Sequence, residues 1–547
     1  MGQNLDKIGK KDMVTVGGGL NLNSIYYNAN GLNAKRSPFT YFLSGNIAVN
    51  ILDVSLPFTF NYSNYKGTYT QPFNMTSFNP TYKWIKGYAG ITSMNFSQYT
   101  LAGHIFAGGG VELTPKNWKI AAMYGRLNKA VEYDVLNQSD ATMQFKRMGM
   151  GLNVGYEKNG YGIGYTIFRA KDELNSLQYI PENTQVTPQE NIVMALNGKT
   201  KITKSVNLSA EYALSGLTRN LFSETEQPSS KAIYNSILKT RTTTSYFSAY
   251  KAALGYTGKG YGVQLQYERI DPNYKTLGGY FFNNDLENIT VAPNVILFKN
   301  KLNISANVGK QKNNLNSEKL STSSRWVGAL NLSYSPSQKW NFNASYSNFS
   351  TYTKIRQQIN PFYKDNLDSL NFYQVSQNAN GTVSHSFGKQ TIKQTVTVTG
   401  AYQIANNKTN GISDGANTKV INGNLIYSSN FTKTKTSLSF GLNYNRSYLP
   451  NIINEFYGPS LSVGKSFLKN LVKCTLGTTY NRSLLNSKEN SSVLNSRFGL
   501  TYSPKLKNEK LGKPNIGLNA NYLTRLKTNT VSPFEELTII LNLGYSF

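Results

Sequence analysis

Histidine and cysteine are nearly absent from this chain, with two of the first and one of the second in 547 residues. One thiol cannot close an internal disulfide, and it cannot supply a Cys-rich zinc site or an iron–sulfur cluster. Acidic residues are scarce as well: 28 stand against 57 Lys plus Arg, so any catalytic reading has to rest on few carboxylates, Ser, Lys or Tyr. Apolar runs of about 18 or more residues, which a helical membrane protein needs, are missing. A mean hydropathy of -0.41 agrees with that. It leaves room for a membrane barrel, in which only alternate residues face lipid.

What the chain has in abundance is aromatic and neutral polar residues, with 38 Tyr and 27 Phe. The net charge of +29 raises nucleic acid as a partner. No stacking platform or recognition helix accompanies the charge, so nucleic acid binding is not expected. The start, Met1-Gly2-Gln3-Asn4-Leu5-Asp6, has no apolar leader region. Asp6 also stands where a myristoylation motif wants Ser or Thr. The expectation is a mature chain whose signal peptide has been removed.

Alternation with a period of two runs from end to end. In Thr436 to Tyr444 one face reads Leu438, Phe440, Leu442, Tyr444 and the other Ser437, Ser439, Gly441, Asn443. That is a strand with one apolar and one polar face. Leu302 to Val308 and Asn515 to Tyr522 follow the same grammar. The polar faces are small and neutral, and apolar faces finish on Tyr156, Tyr267, Tyr334, Tyr346, Tyr444, Tyr480, Tyr522 and Tyr545, as an aromatic girdle at a lipid interface would. Connections alternate short (Thr257 to Gly260, Phe298 to Lys301, Phe387 to Lys389) and long (Lys171 to Glu190, Ser215 to Arg241, Thr351 to Val375, Ala405 to Ala416).

The pattern predicts an all-β chain: a transmembrane antiparallel β-barrel of about 26 strands (range roughly 22 to 26), with short periplasmic turns and long external loops. Residues 1–13 would be a short N-terminal periplasmic segment and 14–547 a single barrel domain with no separate plug or periplasmic domain. The even count puts both termini on the short-turn side. Leu537, Ile539, Leu541, Leu543, Tyr545 and Phe547 alternate to the last residue. A terminal aromatic strand of this kind resembles the signal by which barrel assembly machinery recognises its clients.

Two stretches break the alternation. One runs from Asn95 through His104 into Gly108-Gly109-Gly110-Val111-Glu112 and Met123-Tyr124-Gly125-Arg126; the other runs from Arg269 to Asp285. With these breaks and its Asn, Lys, Ile and Tyr bias, the chain resembles large outer-membrane β-barrels of Bacteroidota, most of which have no assigned biochemical role. TonB-dependent receptors are similar only in barrel size. The resemblance implies an outer-membrane location and little about chemistry.

Few residues stand out as sites. His104 with Ser97 and Glu112 makes a weak catalytic set, better read as a histidine tied into an inward loop. Cys474 shares an apolar face with Val472 and Leu476. No enzyme activity, cofactor or metal is expected. In Arg269 to Asp285 the Pro and Gly-Gly suggest a loop folded into the lumen, with Arg269, Asp271 and Asp285, and also Arg126, lining or constricting it. Lys158, Lys259, Lys299, Lys301, Lys389, Lys433 and Lys469 fall at short turns, predicting a basic periplasmic rim suited to lipid phosphates or an acidic partner protein.

A barrel this wide cannot fill its lumen with wall side chains alone. The expected function is an outer-membrane channel or transport barrel partly occluded by its own loops. The alternative is a non-conducting anchor or partner subunit of an outer-membrane protein-export or surface-adhesin complex. Outer-membrane lipid, the assembly machinery and other outer-membrane or periplasmic proteins are the partners either reading implies. Neither names a substrate.

Overall fold

A computed structural model describes residues 13–547, apart from 32–35, 65–74, 134–142, 183, 185, 227–237, 281–282, 319–323, 349–350, 355–371, 410–411, 450, 507–511 and 527–531. The expected N-terminal segment therefore lies outside the described residues but for Met13, and the first strand opens at Val14.

Each strand pairs antiparallel with its neighbour in sequence, and the first strand (Val14–Asn30) closes on the last (Phe534–Ser546) from Gly19 opposite Ser546 to Asn30 opposite Glu535. Two wall positions are shared by two segments each. Met75–Phe78 and Thr81–Tyr82 both lie between Val54–Ser63 and Ile85–Asn95. Trp340–Ser347 and Thr351–Lys354 both pair with Phe372–Lys389. The wall is a closed antiparallel barrel of 26 strands, with every ladder satisfied by a neighbour and no free edge.

Closure is tight at the seam. The Phe547 amide donates to Gly18 O at 3.0 Å, and the Gly18 amide donates to Phe547 O at 2.8 Å. Gly18 has φ +152°, and a Cβ there would stand 2.1 Å from Asn46 O. The seam needs glycine at this position because the neighbouring backbone occupies the side-chain space.

Strand direction puts Val14 and Phe547 at one rim, together with the short turns. The three strands Phe372–Lys389, Ile392–Thr409 and Ile412–Phe431 run 18, 18 and 20 residues. They are longer than the 9 to 13 residues expected of a minimal span, roughly 60 Å of chain at the rise of a strand. Ala405 to Ala416, expected as a loop, is instead the far end of this hairpin. The ladder continues there through Asn406 opposite Asn417, Lys408 opposite Ser413 and Thr409 opposite Ile412, although most of the stretch is made of turn-forming residue types.

Alternation sorts side chains to two faces. Tyr165, Leu196, Tyr212, Leu254 and Leu265 share the outward face and are exposed. The opposite face carries Gly155, Gly164, Asn197, Glu211, Lys251, Glu268 and Asn288, adjacent from strand to strand. The eight tyrosines form two belts rather than one. Tyr156, Tyr334 and Tyr545 lie toward the short-turn rim; Tyr267, Tyr346, Tyr444, Tyr480 and Tyr522 lie toward the other. In the first belt Trp118 packs edge-on to Tyr156 at 5.0 Å.

Candidate functional site

The two stretches that break the alternation lie about 170 residues apart and meet on the inward face of the wall. The first is the short link 96–101 between Ile85–Asn95 and Ala102–Leu113; the second is the longer link 271–285 between Tyr261–Ile270 and Leu286–Leu297. Tyr274 Oη donates to Tyr99 O at 2.8 Å and Thr276 Oγ1 to Thr100 O at 2.6 Å, while the Ala102 amide donates to Gly278 O at 2.9 Å. Tyr99 and Tyr274 are fully buried, which at typical transfer energies contributes about 1.5–3 kcal/mol each.

The wall beneath is built to receive them. Asn191 Oδ1 accepts the Leu277 amide at 3.1 Å, and Ser215 Oγ donates to Lys275 O at 2.6 Å. Small and apolar inward residues, Val193, Ala195, Ala213 and Ala249, leave room for Tyr99 and Tyr274. A second cluster gathers Met94, Leu101, Phe106, Met123, Leu127, Phe168 and Leu277. A Cβ on Gly278 would meet Thr100 O at 2.6 Å, so only glycine lets the two links lie backbone to backbone.

Charges sit beside this core in paired form. Tyr99 Oη donates to Glu268 Oε1 at 2.6 Å, and Gln98 Nε2 donates to the same oxygen at 2.9 Å. Burial, and then the Glu268 charge, push the Tyr99 phenol far above its usual range. Arg147 grips Asp172 with two bonds of 2.7 and 2.9 Å, and Asp172 also accepts the Gln189 amide at 2.8 Å. Lys275 Nζ donates to Gln189 Oε1 at 3.2 Å, and partial desolvation, followed by the nearby Arg147 charge, lowers its pKa. On the short-turn side of the links lies a cavity of about 710 Å³, lined among others by Lys119, Asn153, Asn197, Lys199, Glu211 and Lys251.

The expected lining residues have more local placements. Arg126 shares its face with Tyr124, which is 61% exposed, and stands opposite Met148, so it takes the outward parity. Arg269 stands opposite Tyr250 on the face of Tyr267, again outward, with its Nε 3.7 Å from Asp271 Oδ1. Asp271 Oδ2 accepts the Ser248 amide at 2.8 Å and the Ser248 hydroxyl at 2.5 Å. Asp285 Oδ1 accepts the Leu315 amide at 2.8 Å. The two aspartates fix the ends of the link to neighbouring strands and loops.

Of the catalytic set, Ser97 Oγ pairs with Thr100 Oγ1 at 3.1 Å, while His104 stacks on Tyr280 at 4.1 Å with its Nδ1 2.7 Å from Ile105 O. Among the described residues no group of three or more His, Cys, Asp or Glu could hold a metal ion.

Lys158, Lys259, Lys299, Lys301, Lys389, Lys433 and Lys469 all sit at the short-turn rim. None of the described turn residues there from Ile202 onward is acidic. Earlier in the chain Asp53 faces Lys83 at 3.9 Å and Glu157 faces Lys199 at 2.6 Å. Arg147, Asn191, Glu211, Lys251 and Glu268 were not among the residues expected from the sequence. Their signal was a charged or amide residue holding a polar-face position inside a strand that otherwise alternates cleanly.

No protein-family model matches the chain, and no curated protein does. Solved structures similar to it include the FrpB iron transporter from Neisseria meningitidis, at 10% identity and a TM-score of 0.37, covering 97% of this chain and 82% of that one. Another is a mutant of the ferric enterobactin receptor of Pseudomonas aeruginosa, at 11% identity and a TM-score of 0.40, covering 97% and 80%. OccAB2 of Acinetobacter baumannii is similar at 10% identity and a TM-score of 0.29, covering 71% and 97%. At such scores the function has to be argued from this chain's own geometry.

Proposed function

We propose that the chain is an outer-membrane channel or transport barrel whose lumen is partly occluded by its own links, 96–101 and 271–285. The observation that carries this reading is the docking of both links on inward wall residues, Asn191, Ser215 and Glu268, through hydrogen bonds and a fully buried tyrosine pair. The outward apolar belt supports placement in lipid, and the two breaks with the Asn, Lys, Ile and Tyr bias, which resemble Bacteroidota barrels, support the outer membrane of such a bacterium. A lumen of 26 strands is wide enough to retain water beside such links.

The test is single-channel conductance in a planar bilayer, for the full chain and for a variant with Pro272 to Asp285 replaced by a short Gly-Ser link. The expected result is stable conductance that rises severalfold in the variant. A heat-modifiable, folded barrel that conducts in neither form would overturn the reading.

One observation favours a second reading, in which the barrel is an anchor or partner subunit of a protein-export or surface-adhesin complex. The rim from Ile202 onward is basic and lacks acidic turn residues among those described, which suits an acidic periplasmic partner or lipid phosphates. The terminal strand, ending on Phe547, would serve recognition by the barrel assembly machinery in either case. Cross-linking at Lys389 or Lys469 in intact cells separates the two: a single protein adduct, absent from wild-type controls, would favour the complex.

A further inference from the structure

Beyond the docked links, the inward wall from Leu302 to Ser546 has a different chemistry. Thr382, Thr399, Asn424 and Asn443 stand side by side across four strands, with Ser437, Ser439 and Gly441 on the same face. This part of the wall is small, polar and neutral. Among the described cations at inward positions are Lys393 opposite Asn430, Lys473 opposite Thr501, Arg497 between Gly477 and Asn521, Lys513 opposite Ser546 and Arg525 opposite Val493.

Their heights differ. Lys393 and Lys473 lie one residue from the short-turn ends of their strands, Arg497 lies several residues higher, and Arg525 lies next to the opposite end of Lys513–Leu526. No Asp or Glu with a described side chain holds an inward position from Leu302 to Leu526; Glu455 and Glu489 face outward, each bonded to an arginine on that face. The first inward acid is Glu536, which accepts the Tyr27 hydroxyl at 3.0 Å. Arg525 is partly committed, its guanidinium 4.4 Å from the Phe534 ring centroid and its Nε donating to Ser532 O at 3.0 Å. Arg497 is exposed midway along, flanked by glycine on one side.

We propose that this half of the lumen is a path for small anions, with Arg497 as the residue that chiefly sets the preference and Lys473 as its support at the short-turn mouth. The proposal rests on the transport reading and adds the charge of what passes. A column of one sign, spaced along a wall whose described inward residues from Leu302 to Leu526 include no acid, lowers the energy of an anion at every step and raises that of a cation. Small neutral neighbours neither screen the cations by pairing nor block the approach of a hydrated ion.

The test is the reversal potential of the full chain in a planar bilayer under a potassium chloride gradient, with folding checked by heat-modifiable migration. A unit charge about 10 Å from the ion changes the chloride-to-potassium permeability ratio by roughly two- to fourfold, the lower figure after screening at 0.1 M salt. Wild type should prefer chloride. Arg497→Gln should lower the ratio about twofold and Lys473→Gln with Arg497→Gln further, while Arg497→Lys keeps it. Lys310→Gln, on the outward face opposite the exposed Trp326, should leave it unchanged.

A conducting channel without chloride preference, or one whose preference Arg497→Gln does not move, overturns the anion path and leaves transport standing. Conductance absent from every form overturns transport and the anion path with it. If Arg497→Gln does not fold, Lys473→Gln alone must shift the ratio in the same direction, and an unchanged ratio there overturns the proposal.

Discussion

The wall from Ile85 to Leu297 and the wall from Leu302 to Ser546 are made by the same alternation and solve opposite problems on their inner faces. The first presents Val193, Ala195, Ala213 and Ala249 and packs them under two links, giving side chains buried as fully as in a soluble core. The second presents Asn, Ser, Thr and Gly over most of its face, with Asn481, Ser483 and Asn495 buried beside a small apolar cluster of Val493, Leu523 and Phe534 away from the short turns, and single cations among them. An outward belt can be shared by both because lipid asks only for apolarity. The inner face has to match what touches it, and in the first half that is packed chain.

The sharpest break of that contrast is to empty the core of the first half. Tyr99→Ala with Tyr274→Ala removes two fully buried rings and the bond between Tyr274 Oη and Tyr99 O. Docking of the links should weaken by several kcal/mol, since truncation of one buried aromatic typically costs about 3–5 kcal/mol. Hydrogen exchange of residues 96–101 and 271–280 would then approach that of open loops while the wall strands keep their protection. The matched change in the other half, Asn424→Ala with Asn443→Ala, should alter exchange little, within about 0.5 kcal/mol. Equal loosening in the two halves would show that the core is not what holds the links.

A smaller effect is expected from Asn191→Ala. Its amide oxygen accepts the Leu277 amide, and its nitrogen donates to Ser215 Oγ at 2.8 Å and Gly216 O at 3.0 Å. Removing it strands a buried amide, at a cost of about 1–3 kcal/mol. Exchange of the Leu277 amide is the direct readout. Smaller or comparable is Gly151→Val, where the added Cβ would stand 2.7 Å from the Phe96 ring, an overpacking that typically costs about 1–3 kcal/mol. It should loosen 96–101 and leave the Leu277 amide protected, separating the two clusters.

These residues also mark how far the sequence could be read. Strand existence, face and the rim of both termini were legible because period-two alternation is a local property, visible in Thr436 to Tyr444 without any partner. The two breaks were legible as breaks. Their meeting was not: the bond from Tyr274 to Tyr99 spans 175 positions, and nothing in either stretch encodes the other's location. Arg269 was expected in the lumen because it opens a stretch whose Pro and Gly-Gly suggest an inward loop, and Arg126 because it ends a strand beside the other break; register puts both on the outward parity, near the end of the span where long cations reach past the belt. Ala405 to Ala416 was read as a loop because Asn, Lys, Gly and Asp are turn residues, although they are tolerated in a hairpin that projects beyond lipid.

Lys275 gives the smallest effect and the one that tests solvation of the links directly. The residue keeps an exposed surface on the docked segment, with Arg147 and Arg219 nearby opposing its charge and Asp172 favouring it, and partial loss of surrounding water is the largest cause of its lowered pKa. The undocked link would titrate near the ordinary 10.5. Between the lowered value and 10.5 the undocked form binds more protons, so docking strengthens as pH rises through that window and pays the full desolvation cost below it. Lys275→Met keeps the aliphatic stem and removes the charge, so it should tighten the link slightly at neutral pH and abolish the pH dependence. Exchange of residues 271–280, measured in the variant and in wild type at each pH so that intrinsic rates cancel, should converge toward pH 10.5. Parallel curves that never converge would place the Lys275 ammonium in water, and with it the inner surface of this link.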